Sequence, residues 1–378
     1  MIGRDPRTGR TLEVRVHDGR IAEVRPGGPG EDGMPWLVPG LVDLQVNGFA
    51  GHDLNGPDVS PDDVAAVTAA LARAGTTSYV PTIITAAEAE MARSLRAVAE
   101  ARRLDPATRR AVPFVHLEGP SISTEDGPRG VHPAEHVRPP DLAELHRLQE
   151  AADGLVGMVT LSPHHAGAIE FTRAAVAEGV RVAVGHTHAT GEQIRAVVDA
   201  GARVATHLGN GAHATLPRHP NYLWAQLAED RLTAGFIADG HHLPADTLTV
   251  MLRAKGAGRA VLVSDSVALA GLPPGEYTTP VGGRVRLGQD GRLGEVGTPY
   301  LAGAARPLAA GVATVSRLPG WSLADALELA TTAPGRLVGD GRGTLETGAP
   351  ADLLLLDEVP EAGPVSIREV VLAGERVV

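Results

Sequence analysis

A chain of 378 residues with 43% hydrophobic content can bury a full core, so one large domain with a smaller companion is the default and disorder is excluded. Its 34 basic against 45 acidic residues give a net charge of −11, which argues against nucleic acid or an anionic membrane as a general partner. With no cysteine there is no disulfide framework, thiolate metal site or cysteine nucleophile, and any metal ligands must be histidines and carboxylates.

The N-terminal stretch MIGRDPRTGR lacks the apolar core of a signal peptide. No run approaches the ~18 apolar residues of a membrane span, so a soluble, cytoplasmic protein is expected. Residues 11–25, TLEVRVHDGRIAEVR, alternate apolar and polar on both sides of His17-Asp18-Gly19-Arg20, which predicts a β-hairpin. A matching pattern returns at the far end. Ala351 to Glu358 and Ile367 to Val378 read as strands, the latter with a turn at Ala373-Gly374. The two ends are therefore expected to form one small β-sandwich domain, residues 1–38 and 337–378, beside a central domain of residues 39–336.

Eight strand candidates lie in that central part: Gly40 to Val46, Thr77 to Ile84, Val112 to Leu117, Leu155 to Leu161, Val180 to Val184, Arg203 to Thr206, Leu232 to Ala238 and Ala260 to Ser264. Helical signals separate them. Ser60-Pro61-Asp62-Asp63 opens a helix that Gly75 closes, with Val64, Val67 and Leu71 on one face. Thr85 with Glu88, and Thr190 with Gln193, have capping-box spacing, and Gly201 ends the second of these helices. This α/β pattern fits a (β/α)8 TIM barrel. A doubly wound open sheet is the alternative, but it is expected to carry a glycine-rich phosphate loop where Gln45-Val46-Asn47-Gly48 stands.

In a barrel the chemistry sits at the C-terminal strand ends. Those ends carry Gln45 and Asn47, Glu118, His164 and His165, His186, His207, Asp239 with His242, and Asp265. Parallel strands joined by one helical crossover finish at the same edge, so His186 and His207 share a level. Two imidazoles and the Glu118 carboxylate, from three strands, make a metal seat with positions left open for water. Each residue also has a plainer reading. The histidines could be hydrogen-bonded loop residues, Glu118 could pair with an arginine, and Asp265 could cap the next segment. His17, His52, His136 and His146 read as surface or helix residues, while His164, His165 and His213 receive no role.

The motifs PGLVDLQVNG (Pro39 to Gly48), HLEGP (His116 to Pro120), RGVHP (Arg129 to Pro133), GHTHA (Gly185 to Ala189), THLGNG (Thr206 to Gly211), ADGHH (Ala238 to His242), VSDS (Val263 to Ser266) and LAGA (Leu301 to Ala304) run through nearly the whole chain. In order and spacing the chain resembles the N-acetylglucosamine-6-phosphate deacetylases of the amidohydrolase superfamily. The resemblance implies that Glu118, His186 and His207 hold one divalent ion, zinc with iron as the alternative. It makes Asp265 the general base and acid, and sets His242 near the substrate amide. Gln45 and Asn47 stand where many amidohydrolases carry HxH, which suggests supporting roles around a single metal. Lys255, the only lysine, lies just before strand eight and cannot bridge two metals from strand four.

By the same resemblance His132, Asn210, Gly211 and Arg218 meet the sugar phosphate, with Arg218 reaching into the partner's site of a homodimer. Asn210-Gly211-Ala212 stands where the family has NAM, Arg218-His219-Pro220-Asn221 where it has REPG, and Ser162-Pro163-His164 where it has APE. The implied activity is metal-dependent hydrolysis of the acetamide of N-acetylglucosamine 6-phosphate. The alternatives are a related amidohydrolase acting on another N-acyl amine, or a sugar-phosphate binding protein without turnover.

Overall fold

The computed structural model of the chain describes residues 1–279, 283–298, 300–357, 359, 363 and 365–377. The expected strand ends at Glu358 and Val378 lie outside the described residues. Eight parallel strands stand side by side in chain order: Leu41–Val46, Thr76–Ile84, Val115–Glu118, Val156–Leu161, Arg181–Val184, Val204–Ala205, Thr233–Ile237 and Ala260–Val263. They are strands one to eight below, and each overlaps one of the expected runs. Strand three begins three residues late because the helix Pro106–Ala111, capped by Asp105, runs up to Val112.

Strand eight closes on strand one. The Asp265 N–H donates to Gln45 O at 3.0 Å, and the Asn47 N–H donates to Ser266 O at 2.8 Å. An open sheet would leave those edges unpaired, so the fold is the barrel and not the doubly wound sheet. At the seam the Asp43 carboxylate takes the Ser264 N–H at 3.0 Å, doing the work of a missing backbone carbonyl. Between Asp43 and Val46 the register with strand two slips. Such a bulge re-aims the side chain it carries, and Gln45 meets a carboxylate of strand three.

The outer helices follow their sequence signals where the signal is a cap. Ser60 and Asp63 form a reciprocal capping box on Pro61–Arg73, Gly75 follows at φ 84°, and Val64, Val67 and Leu71 are buried. Thr190 and Gln193 do the same for Gly191–Ala200, with Gly201 at its end. The expected box at Thr85 is a misreading. That helix starts at Glu88 after Ala87, and the Thr85 hydroxyl instead donates to Glu118 O at 3.2 Å. Lys255 is buried, its ammonium donating to Glu229 O at 2.8 Å and Gln226 O at 3.3 Å, and so closes the C-terminal end of helix Tyr222–Ala228.

The chain termini share a seven-stranded sheet in the order Glu375–Arg376, Ile367–Leu372, Leu353–Leu356, Trp36–Pro39, Ile2–Arg4, Arg10–His17, Arg20–Pro29. Both expected hairpins are present, each turning on two residues of positive φ, Asp18-Gly19 and Ala373-Gly374. The small unit is built from one continuous ladder whose two halves fold over a shared core. It curls until the hairpin tip meets the segment leading into Leu353–Leu356, with Ile21 N–H on Ala349 O and Ala351 N–H on Gly19 O, both at 2.9 Å. Val14, Ile21, Leu37, Leu353 and Val371 fill the curl. Beyond strand eight, an antiparallel sheet of Gly275–Thr279, Gly283–Leu287 and Leu293–Glu295 was not expected. Its buried face brings Val285 and Leu293 to the barrel mouth. Among the described residues no helix is long and apolar enough to cross a membrane.

Candidate metal centre and active site

Glu118 ends strand three, and His186, His207 and Asp265 each stand two residues past the ends of strands five, six and eight, at the barrel mouth. His186, His207 and Asp265 have φ values of 46°, 24° and 50°, so three of the seven non-glycine positive-φ residues described are these three. Each such conformation costs roughly 1–3 kcal/mol and persists only where its surroundings fix it. The result is convergence. Glu118 Oε1 lies 3.2 Å from His186 Nε2 and 2.9 Å from His207 Nε2, and the two nitrogens are 3.1 Å apart. Among the described residues this is the one group of three metal-competent side chains whose donor atoms cluster, and all three are buried.

The donor set fits a divalent cation. The Nδ1–H of His186 donates to Pro128 O at 2.8 Å, which leaves Nε2 as the lone-pair nitrogen facing the cluster. Burial pushes Glu118 up, but His186 and His207 against its oxygen outweigh that and hold it well below the usual carboxylate range. Burial pulls His207 down, and the Glu118 contact overrides it, raising His207 to about 9. Two nitrogens and a carboxylate of net negative charge, with no sulfur, suit a borderline ion such as zinc or iron(II).

Gln45 and Asn47 divide the support. Gln45 Nε2 donates to Glu118 Oε1 at 2.7 Å, and Asn47 Nδ2 donates to Asp265 Oδ1 at 2.7 Å. Burial and the nearby Glu118 charge push Asp265 up to about 6, against His207, His242 and the Asn47 bond, which favour its ionised form. A carboxylate acting as a base must be deprotonated, so its activity falls as pH drops through that value. A cation on Glu118 moves the limb lower. Asn47→Ala removes a donor to the charged form, so the acid limb of kcat/KM should move up by about one pH unit. A limb that stays in place would separate Asn47 from the base.

His242 is held by its neighbour. Its Nδ1–H donates to Asp239 Oδ2 at 2.7 Å, while Asp239 Oδ1 takes the N–H groups of His241 and His242. His132, expected on the phosphate side, sits in the cluster itself: its ring lies 4.4 Å from that of His186, and its Nε2 3.9 Å from Glu118 Oε2. Burial, ahead of the neighbouring His186, pushes its pKa down to about 3. The Thr85 hydroxyl accepts from its Nδ1 at 2.9 Å.

A cavity of about 140 Å³ opens onto the cluster, lined by Asn47, Asp53, Glu118, His132, His186, His207 and Asp265 on its polar side. Ile84, Val131, Val267, Leu269, Val285 and Leu293 form its apolar wall. Asp53 and the wall from the extra sheet were not read from the sequence. Asn210 and Gly211 lie across His186, where they line a smaller pocket with Tyr222. Gly211, at φ 58°, must lack a side chain because a Cβ would stand 2.9 Å from His186 Nδ1. Arg218 is exposed and lines neither space.

Residues 36–377, which take in the whole barrel and the C-terminal strands, match the amidohydrolase family. The chain belongs to that family. Within the amidohydrolases it is 33% identical to N-acetylgalactosamine-6-phosphate deacetylase of Escherichia coli O157:H7, covering 91% of this chain and 90% of that protein. It is also 33% identical to N-acetylglucosamine-6-phosphate deacetylase of Danio rerio, covering 90% of this chain and 84% of that one. Among solved amidohydrolases it is similar to N-acetyl-D-glucosamine-6-phosphate deacetylase from Mycobacterium smegmatis in complex with N-acetyl-D-glucosamine-6-phosphate. That structure superposes with a TM-score of 0.87 at 29% identity, covering 97% of this chain and 95% of that chain.

Proposed function

We propose that this amidohydrolase hydrolyses the acetamide of N-acetylglucosamine 6-phosphate, giving acetate and glucosamine 6-phosphate. One observation carries the reading: Glu118, His186 and His207 converge beside the buried Asp265 at the head of a cavity, in a chain similar throughout to deacetylases of 6-phosphorylated N-acetyl sugars. A divalent ion, zinc by this reading with iron(II) as the alternative, would be held by those three side chains and would supply Lewis acidity, bringing the pKa of water from 15.7 toward ~7.

The chain's own residues do the rest. Asp265, oriented by Asn47, takes the proton of the attacking water and later returns it to the departing amine. His242, its ring fixed by the bond between Nδ1 and Asp239, is the residue that meets the amide oxygen of the substrate. The apolar wall limits water around the acetyl group. A binding protein without turnover would need no buried base beside its ligand seat, which favours the enzyme.

No arginine or lysine is among the described residues that line the cavity. A phosphate must then be met from outside it, and exposed Arg218 does so in a homodimer by reaching the neighbouring copy's cavity. A cytoplasmic setting follows from this reading, because sugar phosphates do not cross membranes unaided. A second reading is the C4 epimer, the galactosamine compound, which the E. coli relative is named for.

Acetate release should be measured from both phosphorylated epimers and from unphosphorylated N-acetylglucosamine. The expected outcome is kcat/KM on a phosphorylated sugar at least ~100-fold above that on the unphosphorylated one, as loss of a charge-assisted contact implies. Equal turnover of all three would remove the phosphate from the account, and preference for the galactosamine compound would select the second reading.

A further inference from the structure

The loop after strand three, residues 119–137, crosses the outer face of the centre and is tied to it at several points. Ser123 N–H donates to His186 O at 2.8 Å, and Pro128 O receives His186 Nδ1–H at 2.8 Å. Gly130 lies against His186, where a Cβ would come within 3.4 Å of Cε1. The far side of the loop is held by one carboxylate. Glu125 Oε2 lies 2.8 Å from His213 Nε2 on the loop after strand six, and Glu125 Oε1 lies 3.8 Å from His188 Nε2 on the loop after strand five.

Both histidines are themselves supported. The His213 N–H donates to the Tyr222 hydroxyl at 2.8 Å, and Ala212 and His213 press on Gly127, where a Cβ would stand 2.8 Å from Ala212 O. His188 Nδ1 meets Ser123 Oγ at 2.6 Å, and its ring stacks 4.1 Å from that of His164, which stacks 3.9 Å from that of His165. Three loops thus meet on Glu125.

We propose that Glu125 is a positioning residue for His186: by clasping His188 and His213 it keeps the loop closed, so that Pro128 O stays on His186 Nδ1. The proposal rests on the reading of Glu118, His186 and His207 as the metal seat. That hydrogen bond fixes the tautomer that presents Nε2 and raises its basicity as a ligand. Glu125 is half-exposed, and exposed ion pairs add little to global stability. Its removal therefore loosens the loop without unfolding the barrel.

The test is Zn2+ affinity by chelator competition, with the visible spectrum of the Co2+-loaded protein, for Glu125→Ala, His213→Phe and the control Glu118→Gln. Glu125→Ala and His213→Phe should each weaken Zn2+ binding by about tenfold, as loss of support to a ligand does. Both should shift the Co2+ bands while the melting temperature of the metal-stripped protein stays put. Parental affinity and spectrum in both variants, with Glu118→Gln defective, overturn the clasp and leave the seat standing. If Glu118→Gln also binds Zn2+ as the parent does, the seat is wrong and the clasp falls with it.

Discussion

Asp265→Asn lowers kcat by on the order of 10²- to 10⁴-fold while the protein keeps its full metal complement. The amide matches the carboxylate in shape, so the N–H bond of residue 265 to Gln45 O and the donor from Asn47 both survive. What it would lose, on the proposed mechanism, is the lone pair that accepts a proton from water and the acid form that returns it to the amine. Because neither role belongs to ground-state binding, KM should move little and the loss should fall on kcat. Burial and Glu118 push this carboxyl up to about 6, within reach of both protonation states near neutrality, as a group that gives and takes one proton requires. Steady-state kinetics beside metal analysis check this, and a variant turning over within threefold of the parent removes Asp265 from the reaction.

Glu118→Gln should abolish metal loading in practice, weakening affinity by well over the ~100-fold that loss of a supporting residue can cost. Glu118 is the only negative charge among the three donors, and the two imidazoles that remain face each other at 3.1 Å with nothing between them to balance a dication. Gln45, which donates to the carboxylate, would meet an amide that is a poor ligand. Loading at a thousand times Kd stabilises a folded protein by about 4 kcal/mol, so the parent's melting temperature should rise on adding Zn2+ and the variant's should not. Equal metal content in the two proteins would move the seat elsewhere.

The barrel was legible because its strands are short β-branched runs that end at a polar group, and because Ser60, Thr190, Gly75 and Gly201 are caps whose side chains or φ values act locally. The site was legible for the same reason: a histidine or glutamate directly after an apolar run is at the mouth whatever the loops do. What failed depended on distant partners. Thr85 has the spacing of an N-cap, yet its hydroxyl is drawn to Glu118 O and to His132. His132, placed on the sugar phosphate by resemblance alone, is buried beside His186 where residues 119–137 cross the centre, a contact its own motif does not announce. The three-stranded sheet after strand eight alternates charged and glycine residues with few apolar ones, so its pattern is faint. Its order comes from facing the barrel mouth through Val285, Leu287 and Leu293. Gln45 and Asn47 were placed as supporting residues, but their division, one to the ligand and one to the base, depends on the slipped register at strand one.

The most direct test of a single-metal hydrolase is to strip the protein with a chelator and titrate Zn2+ back while following acetate release from N-acetylglucosamine 6-phosphate. Turnover should be near zero in the stripped protein, rise linearly, and level off at one equivalent per chain. Full turnover without metal, or a rise that continues to two equivalents, would contradict it.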